Sequence, residues 1–523
     1  MKIKHLLISI LSMTLLNCSS SRKKEEPTPG DGAGKPSKPM ANANANPNLN
    51  GEGEPIPSPL GPIQKLKKTC KAPVQVWGEA EFSLPQIASI LPPSTRSLKA
   101  KRKTRVYRKP DASSYLMGII KQYSRLPLTR YAPKGKGCET WWLAVGKDRY
   151  VCGSNLKADN RSTLLRNQPI LEAKEITPHR YGRIRKNDSP YYRNSKELEA
   201  GKPFGKLAKG DMISLESSKS YQGKRYWITA KGFLVWDSDI TGYKVPRYHG
   251  INLRKLGINL PVALIRGKTK GATVYEYPGG PEKKGVKPLP HYSARAIYDK
   301  KKVKETGRQL KTLFYRVKEG WIKARRVLSA WPTKPPVGLK PCEKWIEINV
   351  SMQTMVAYEG EEPVYMAPIS SGNKKHPTKY GIFRIWLKKA NGDMTGSMAN
   401  ERYRVDEVPW SMFFYLGQAL HAAYWHTNFG NRKSHGCVNL TPIDAKWFYE
   451  WTEPAVPAGW LEVNADESTP VAGTLVVVRH KYEHEVPYSR YARKLAPPEE
   501  VERLDRIKKD HLKKQSINLL KNR

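Results

Sequence analysis

Long apolar runs are almost missing from this chain of 523 residues. Past Leu16 no stretch approaches the roughly 20 apolar residues that a membrane-spanning helix requires, which excludes a bundle of such helices. Acidic residues are scarce too: 47 Asp and Glu stand against 92 Lys and Arg, a net charge of +45. That balance favours anionic partners, whether nucleic acid, acidic lipid or a carboxylate- and phosphate-rich polymer. The charge is spread along the chain, so solubility accounts for it equally well. The apolar fraction of 39% is low for a globular protein and implies that part of the chain is not packed. Neither CxxC nor HExxH spacing occurs, which removes the usual signatures of a zinc site. The length suggests about three to five compact units.

The apolar run that is present lies at the N-terminus. Lys2, Lys4 and His5 precede Leu6–Leu16, a run that is too short to span a bilayer and that fits the apolar core of a signal peptide. It ends Leu15-Leu16-Asn17-Cys18 and resembles a bacterial lipobox, which implies a signal peptide over 1–17 and lipid on Cys18. Ser19 after the cysteine implies sorting to the outer membrane, facing the periplasm. The segment 18–69 is rich in Ser, Lys, Pro, Gly, Asn and Ala and cannot bury enough apolar surface to order itself. It reads as a tether that holds the body about 40 Å from the anchor.

From Cys70 to Trp331 short alternating runs sit between Gly, Pro, Asp and Asn, which predicts strands. A loose repeat recurs: Thr104–Pro110 leads to Trp141–Val145 and Arg149–Val151, Ser189–Arg193 to Tyr226–Ile228 and Gly232–Val235, and Thr273–Pro278 to Phe314–Val317 and Gly320–Ile322. The pattern resembles bacterial SH3-like barrels and implies three units, 70–170, 171–243 and 244–337. A further domain covers 338–480, and a charged tail 481–523. The fold class expected is mainly β and multi-domain, with few helices. In the last domain Trp345–Val350 alternates as a half-buried strand with Thr354–Tyr358 as its hairpin partner. Thr441 with Pro442 and Asp444 marks a helix start, with Ile443, Trp447, Phe448 and Trp451 on one face.

There are six cysteines. With Cys18 assigned to lipid, Cys138 and Cys152 flank one hairpin and pair locally. Cys70 and Cys342 then pair as the simplest of three connectivities, leaving Cys437 as a thiol kept for chemistry.

The segment His421–Leu440 gathers His421, His426, Ser434, His435 and Cys437. An imidazole beside a thiol takes its proton and stabilises the thiolate. Residues two apart in an extended backbone share a side, so spacing favours His435 as the base of Cys437. Gly436 would let a substrate approach, with the Gly436 and Cys437 amides aimed at an oxyanion. Ser434, a backbone carbonyl or Asn439 would orient the base. Zinc held by His421, His426, His435 and Cys437 is the weaker reading, and no metal is assigned.

Ser434-His435-Gly436-Cys437-Val438-Asn439 resembles the signature of YkuD-type L,D-transpeptidases. His421, Ser370-Ser371-Gly372 and Pro377-Thr378-x-x-Gly381-x-Phe383 follow in the same family order, over about a quarter of the chain. The resemblance implies Cys437 as nucleophile and His421 as proton donor and acceptor, with His435, Ser434, Gly436 and Asn439 in support. It implies a β-rich catalytic domain and no cofactor. The expected activity is attack on a peptidoglycan tetrapeptide stem, release of D-Ala, and transfer of the Cys437 thioester to an amine. Water as acceptor would make an L,D-carboxypeptidase. A degenerate domain would leave an envelope lipoprotein that binds peptidoglycan without catalysis. Partners expected are stem peptides, the membrane through the lipid and anionic wall polymers, but no nucleic acid.

Overall fold

The computed structural model describes residues 83–521 apart from 267–270, 306–309, 399–400, 470 and 481–484. The signal peptide, Cys18, the tether and Cys70 lie outside the described residues. The described chain is mostly β. It falls into two compact units: Ile251–Thr333, and the preceding β-region together with Lys334 onward. Within Ile251–Thr333 the strands Val262–Ile265, Thr312–Val317, Gly320–Lys323 and Val327–Ala330 enclose Ala263, Ile265, Val317 and Ile322.

In the larger unit two small cores precede the last domain. One holds Leu98, Val106, Ile120, Leu143 and Val151, and the other Ile184, Leu207, Ile213, Leu215 and Val235. Cys138 and Cys152 are bridged at the end of the hairpin formed by Trp142–Gly146 and Arg149–Cys152, with Cα atoms 5.6 Å apart.

The C-terminal domain is built on two sheets. Its strands are β1 (Lys344–Asn349), β2 (Thr354–Glu359), β3 (Glu362–Pro368), β4 (Gly381–Arg384), β5 (Leu387–Met398), β6 (Glu401–Tyr415), β7 (Gln418–Ala422), β8 (Val438–Leu440), β9 (Trp460–Asn464) and β10 (Leu475–Arg479). The first sheet runs β3-β2-β1-β10-β4. Here β1 and β2 form the expected hairpin, Trp345 opposite Tyr358, and β1 lies parallel to β10. All five residues of β10, Leu-Val-Val-Val-Arg, are buried, as suits a central strand covered on both faces. Its one charge, Arg479, is paired with buried Glu347 of β1.

In the second sheet β5 and β6 form a long hairpin, β6 pairs antiparallel with β7, and β7 pairs parallel with β8. Between the sheets Ile346, Ile348, Phe383, Trp410, Met412, Leu420 and Val438 meet Ala445 and Phe448 of the helix α1 (Pro442–Trp451). Thr441 caps α1 by accepting from the Asp444 amide at 3.2 Å. Asp444 departs from the capping box predicted for it, because its carboxylate takes the Thr441 hydroxyl at 2.8 Å rather than a backbone amide. The buried stripe is Ala445, Phe448 and Tyr449, whereas Ile443 is half-buried and Trp447 stacks on Tyr365. A second helix, α2 (Pro498–Lys521), follows.

The first two β-cores do not stand apart from this domain as spacers. Strand Leu116–Ile120 adds to β9 with Gly118 opposite Val463, and Trp460 of β9 is fully buried in the first core. Tyr181 stacks on Tyr424 with ring centroids 3.6 Å apart, and Lys231 bridges Asp393 and Asp406 at 2.5 and 2.7 Å. Large aromatic side chains are the reason, since each buries more apolar area across the junction than a linker would. Trp460→Ala should therefore cost about 3–5 kcal/mol. The midpoint of the denaturation transition reads this, and a midpoint at the wild-type value would show that the first core does not depend on the domain.

Candidate functional site

Cys437 sits immediately before β8, at the end of a bend. Gly436 has φ +117°, a conformation that favours glycine, and a Cβ there would come within 2.7 Å of Gln418 Nε2. The Ser434 hydroxyl closes the bend by donating to the Cys437 carbonyl and accepting from the Gly436 amide at 3.2 Å. Residues 435–437 are not extended as the spacing argument assumed, and the His435 ring packs on His376, with centroids 4.6 Å apart. The Gly436 amide, expected to point at an oxyanion, donates to the Ser434 hydroxyl.

The parallel register puts His421 on the face that Cys437 shares. Leu420 lies opposite Val438, and His421 opposite Asn439. Leu420, Ala422, Val438 and Leu440 point into the main core, while Ala419 and Cys437 share the opposite apolar cluster with Tyr424 and Trp425. Alternation then puts His421 on the same face as Cys437. The Ala419 amide reaches Cys437 Sγ at 3.4 Å, a contact that favours a thiolate, and the Gly417 carbonyl lies 3.7 Å away.

His421 is fully buried. Its Nδ1 lies 3.0 Å from the Ala422 carbonyl, which only accepts, so Nδ1 carries the proton and Nε2 keeps its lone pair. Nε2 is buried with no hydrogen-bond partner. Of the three orienting groups left open by the sequence, the backbone carbonyl is the one that holds this ring. Burial lowers the imidazole to about 4, so it stays neutral at ordinary pH and is able to accept a proton.

The Ser-Ser-Gly segment braces both flanks of the bend. Ser370 exchanges backbone hydrogen bonds with Asn439 at 3.0 and 2.9 Å, and the Ser371 carbonyl accepts from Lys433 and Ser434 at 2.9 and 3.1 Å. Gly372 packs so closely on His376 and Thr378 that a Cβ would meet the His376 carbonyl at 2.2 Å, and its amide donates to Thr378 Oγ1 at 2.9 Å.

Sequence reading missed three members. Gln353 holds Ser371 at both ends, accepting from its amide at 2.9 Å and donating to its hydroxyl at 2.7 Å. Gln418 accepts from the Lys379 amide at 2.9 Å and packs against Gly436. Single glutamines carry no spacing signal. His426 reads as an ordinary loop histidine, but its Nε2 is 3.0 Å from the Asn439 side-chain amide. The Asn428 amide donates to His426 Nδ1 at 3.3 Å, which fixes the proton on Nε2. The Asn439 amide oxygen, otherwise buried and unpartnered, is then the group that belongs opposite Nε2. The aromatic run at 410–415 divides, Trp410 and Phe414 entering the main core and Phe413 the Cys437 cluster.

Residues 343–478 match the family model of the L,D-transpeptidase catalytic domain. The protein named "Putative L,D-transpeptidase YciB" of Bacillus subtilis (strain 168) is 32% identical over 136 residues, 23% of this chain and 68% of that one. The chain belongs to the L,D-transpeptidase family. L,D-transpeptidase 2 of Mycobacterium tuberculosis (strain CDC 1551 / Oshkosh) is 33% identical over 102 residues, 17% of this chain and 24% of that one. A solved L,D-transpeptidase from Enterococcus faecium is 23% identical, covering 27% of this chain and 50% of that one with a TM-score of 0.21. The chain thus spans from about a quarter to two thirds of the length of these relatives.

Among the described residues no cysteine is a free thiol, and Cys342 and Cys437 are both disulfide-bonded. This corrects the expectation that Cys437 stands outside every bridge.

Burial also lowers His426, to about 3, with Lys433 and His421 adding to the effect. Both rings are neutral when folded, whereas an unfolded histidine protonates near 6.5. The unfolded chain therefore binds more protons below about 6.5, and stability falls as pH drops toward 4. Asp444, which burial pushes up to about 6, contributes with the opposite sign between 6 and 3.8. The comparison of variants isolates the histidines: His426→Gln should lose less stability than wild type between pH 7 and pH 5 in urea titrations. Equal losses would mean that this ring is not held neutral.

Proposed function

We propose that the chain is a peptidoglycan L,D-transpeptidase whose nucleophile is Cys437 in its reduced state. The observation that carries this reading is the bare lone pair of His421 Nε2 on the face of β7 that Cys437 shares. His421 takes the thiol proton, and the Ala419 amide stabilises the sulfur anion. The thiolate adds to the amide carbonyl that joins the diamino acid of a tetrapeptide stem, at its L centre, to D-Ala. The C–S bond forms, the C–N bond breaks, and His421 returns the proton to the departing D-Ala amine. An amine of a second stem then attacks the thioester, loses its proton to His421 and regenerates the thiol, which leaves a 3→3 cross-link. Water in place of the amine gives L,D-carboxypeptidase action.

His435, Ser434, Gly436 and Asn439 support the bend rather than exchange protons. The lipid on Cys18, the signal peptide over 1–17 and the tether over 18–69 would hold the enzyme at the outer membrane facing the periplasm. The small β-units would be SH3-like modules held against the wall. The oxidised sulfur favours a second reading, a peptidoglycan-binding envelope lipoprotein without turnover.

Release of D-Ala from tetrapeptide muropeptides, followed by mass, separates the two. Reduced wild-type chain should release D-Ala, with far less from the untreated chain. Cys437→Ala should release none, and His421→Asn should be slower by about 10²–10⁴-fold. Undiminished release by Cys437→Ala would remove this sulfur from the mechanism, and no release after reduction would leave the binding protein. Labelling of the Cys437 thiol with and without a carbapenem gives an independent check, since an acylating enzyme loses its label and a binder does not.

A further inference from the structure

The segments that meet at the Cys437 bend contain no carboxylate side chain. Between Glu362 and Asp393, and again between Glu407 and Asp444, the sequence has no Asp or Glu. Those two stretches supply Ser370–Gly372, the 377–379 segment, β7, the loop of His426 and the bend itself. What they carry is positive charge. Lys374, Lys375 and Lys379 lie on one flank of the bend, and Arg432 and Lys433 on the other; all are exposed except Lys433, which is half-buried. None of these cations has an ion-pair partner among the described residues, whereas Lys344, Arg384, Lys389 and Arg479 of the same domain are each paired with a glutamate.

The two flanks are laced into one rim. Gly372 bridges to Ser434, and the Asn373 amide donates to the Ser434 carbonyl at 2.9 Å. The Asn373 side-chain oxygen accepts from the Lys375 and His376 amides at 2.8 and 2.9 Å. Gln418 fixes Lys379 through its amide, and the His376 and His435 rings pack between the flanks. The backbone of the rim is therefore held, and no carboxylate of these segments neutralises the charges on it. Their field reaches the site, since Lys433 helps to hold the His426 ring neutral and that ring contacts Asn439, two residues after the sulfur. An edge lined by one sign of charge draws in and orients ligands of the other.

We propose that Lys374, Lys375, Lys379, Arg432 and Lys433 make the site selective for acyl donors with free carboxylates close to the scissile amide, and against the same donors with those carboxyls amidated. This selectivity rests on the transpeptidase reading and adds to it the charge of the substrate. The thioester chemistry is the same for both donors. What differs is how readily, and in what pose, the donor reaches the sulfur, so the effect belongs in kcat/KM. Exposed pairs are individually weak and are screened beyond about 10 Å at 0.1 M salt, so several cations must act together and salt must weaken the preference.

The experiment follows D-Ala release by the reduced full chain in detergent from two tetrapeptide stems. One has the carboxyls of its second residue and of the second centre of its diamino acid free, and the other has both amidated. At ~0.02 M salt kcat/KM should be at least about tenfold higher for the free acid, and the ratio should shrink severalfold at ~0.2 M. Lys374→Glu with Lys375→Glu should bring the two stems to within about twofold of each other. Reversal of Lys300, Lys301 and Lys302, exposed lysines of the other unit, should preserve the ratio. Equal kcat/KM for the two stems, a preference for the amidated one, or a ratio that survives Lys374→Glu with Lys375→Glu in a chain of wild-type circular dichroism would each overturn the proposal. So would loss of the ratio in the Lys300, Lys301, Lys302 variant, which would assign it to the net charge of the whole chain. Release from neither stem would remove the transpeptidase and the selectivity with it, whereas equal release from both removes the selectivity alone.

Discussion

The parallel pairing of β7 with β8 is the constraint on which the rest of the site depends. Side chains of neighbouring parallel strands alternate together, so one register decision sends Leu420, Ala422, Val438 and Leu440 to the core. The same decision leaves Cys437 and His421 on the other face. A slip by one residue would exchange the two sets, putting an imidazole in the main core and four aliphatic side chains in the cluster of Tyr424, Trp425 and Cys437. The hydrophobic energy of those four side chains therefore fixes the face that His421 and Cys437 share. The left-handed bend at Gly436 completes it by ending the strand where the sulfur is needed.

Such a register needs fixed ends. On the N-terminal side Ser370, Ser371 and Gly372 clamp the chain on both flanks of Cys437, and Gln353 holds Ser371 from beneath. On the C-terminal side β8 runs directly into α1, with Thr441 as the cap between them. Every hydrogen bond of the brace comes from backbone or from side chains other than the Cys437 sulfur. Reduction would change the chemistry available at the sulfur and leave its support intact.

How much of this the sequence disclosed depended on how local each feature was. The β1–β2 hairpin, the Thr441 cap and the clustering of His421, Ser434 and Cys437 are written in residue patterns over a few positions. The family signature pointed to His421 and local spacing to His435; spacing assumed an extended chain and could not register the positive φ of Gly436. Gln353, Gln418 and the true setting of His426 were illegible, since each acts across many residues of sequence through one or two hydrogen bonds. The joining of the first two β-cores to the last domain was hidden for the same reason. Nothing in the neighbourhood of Trp460 or Tyr181 announces a partner more than two hundred residues away.

The helix that anchors β8 shows how the fold secures this register by electrostatics as well as packing. Buried Asp444 at the start of α1 accepts from the Gly250 amide at 2.7 Å and from the Tyr365 hydroxyl at 2.8 Å. At the other end fully buried Lys388 donates to the carbonyls of Tyr449 and Thr452 at 2.6 and 2.7 Å. Burial pulls this amine down to about 7, so desolvation opposes the charge that the carbonyls favour. A carboxylate at the positive end and an ammonium at the negative end both complement the helix dipole. Lys388 belongs to β5, which pairs with β6, which pairs with β7. Four strands and one helix thus form a closed circuit, β7 to β8 to α1 to β5 to β6 and back to β7. Moving Cys437 relative to His421 would require breaking a buried charge contact as well as a strand ladder.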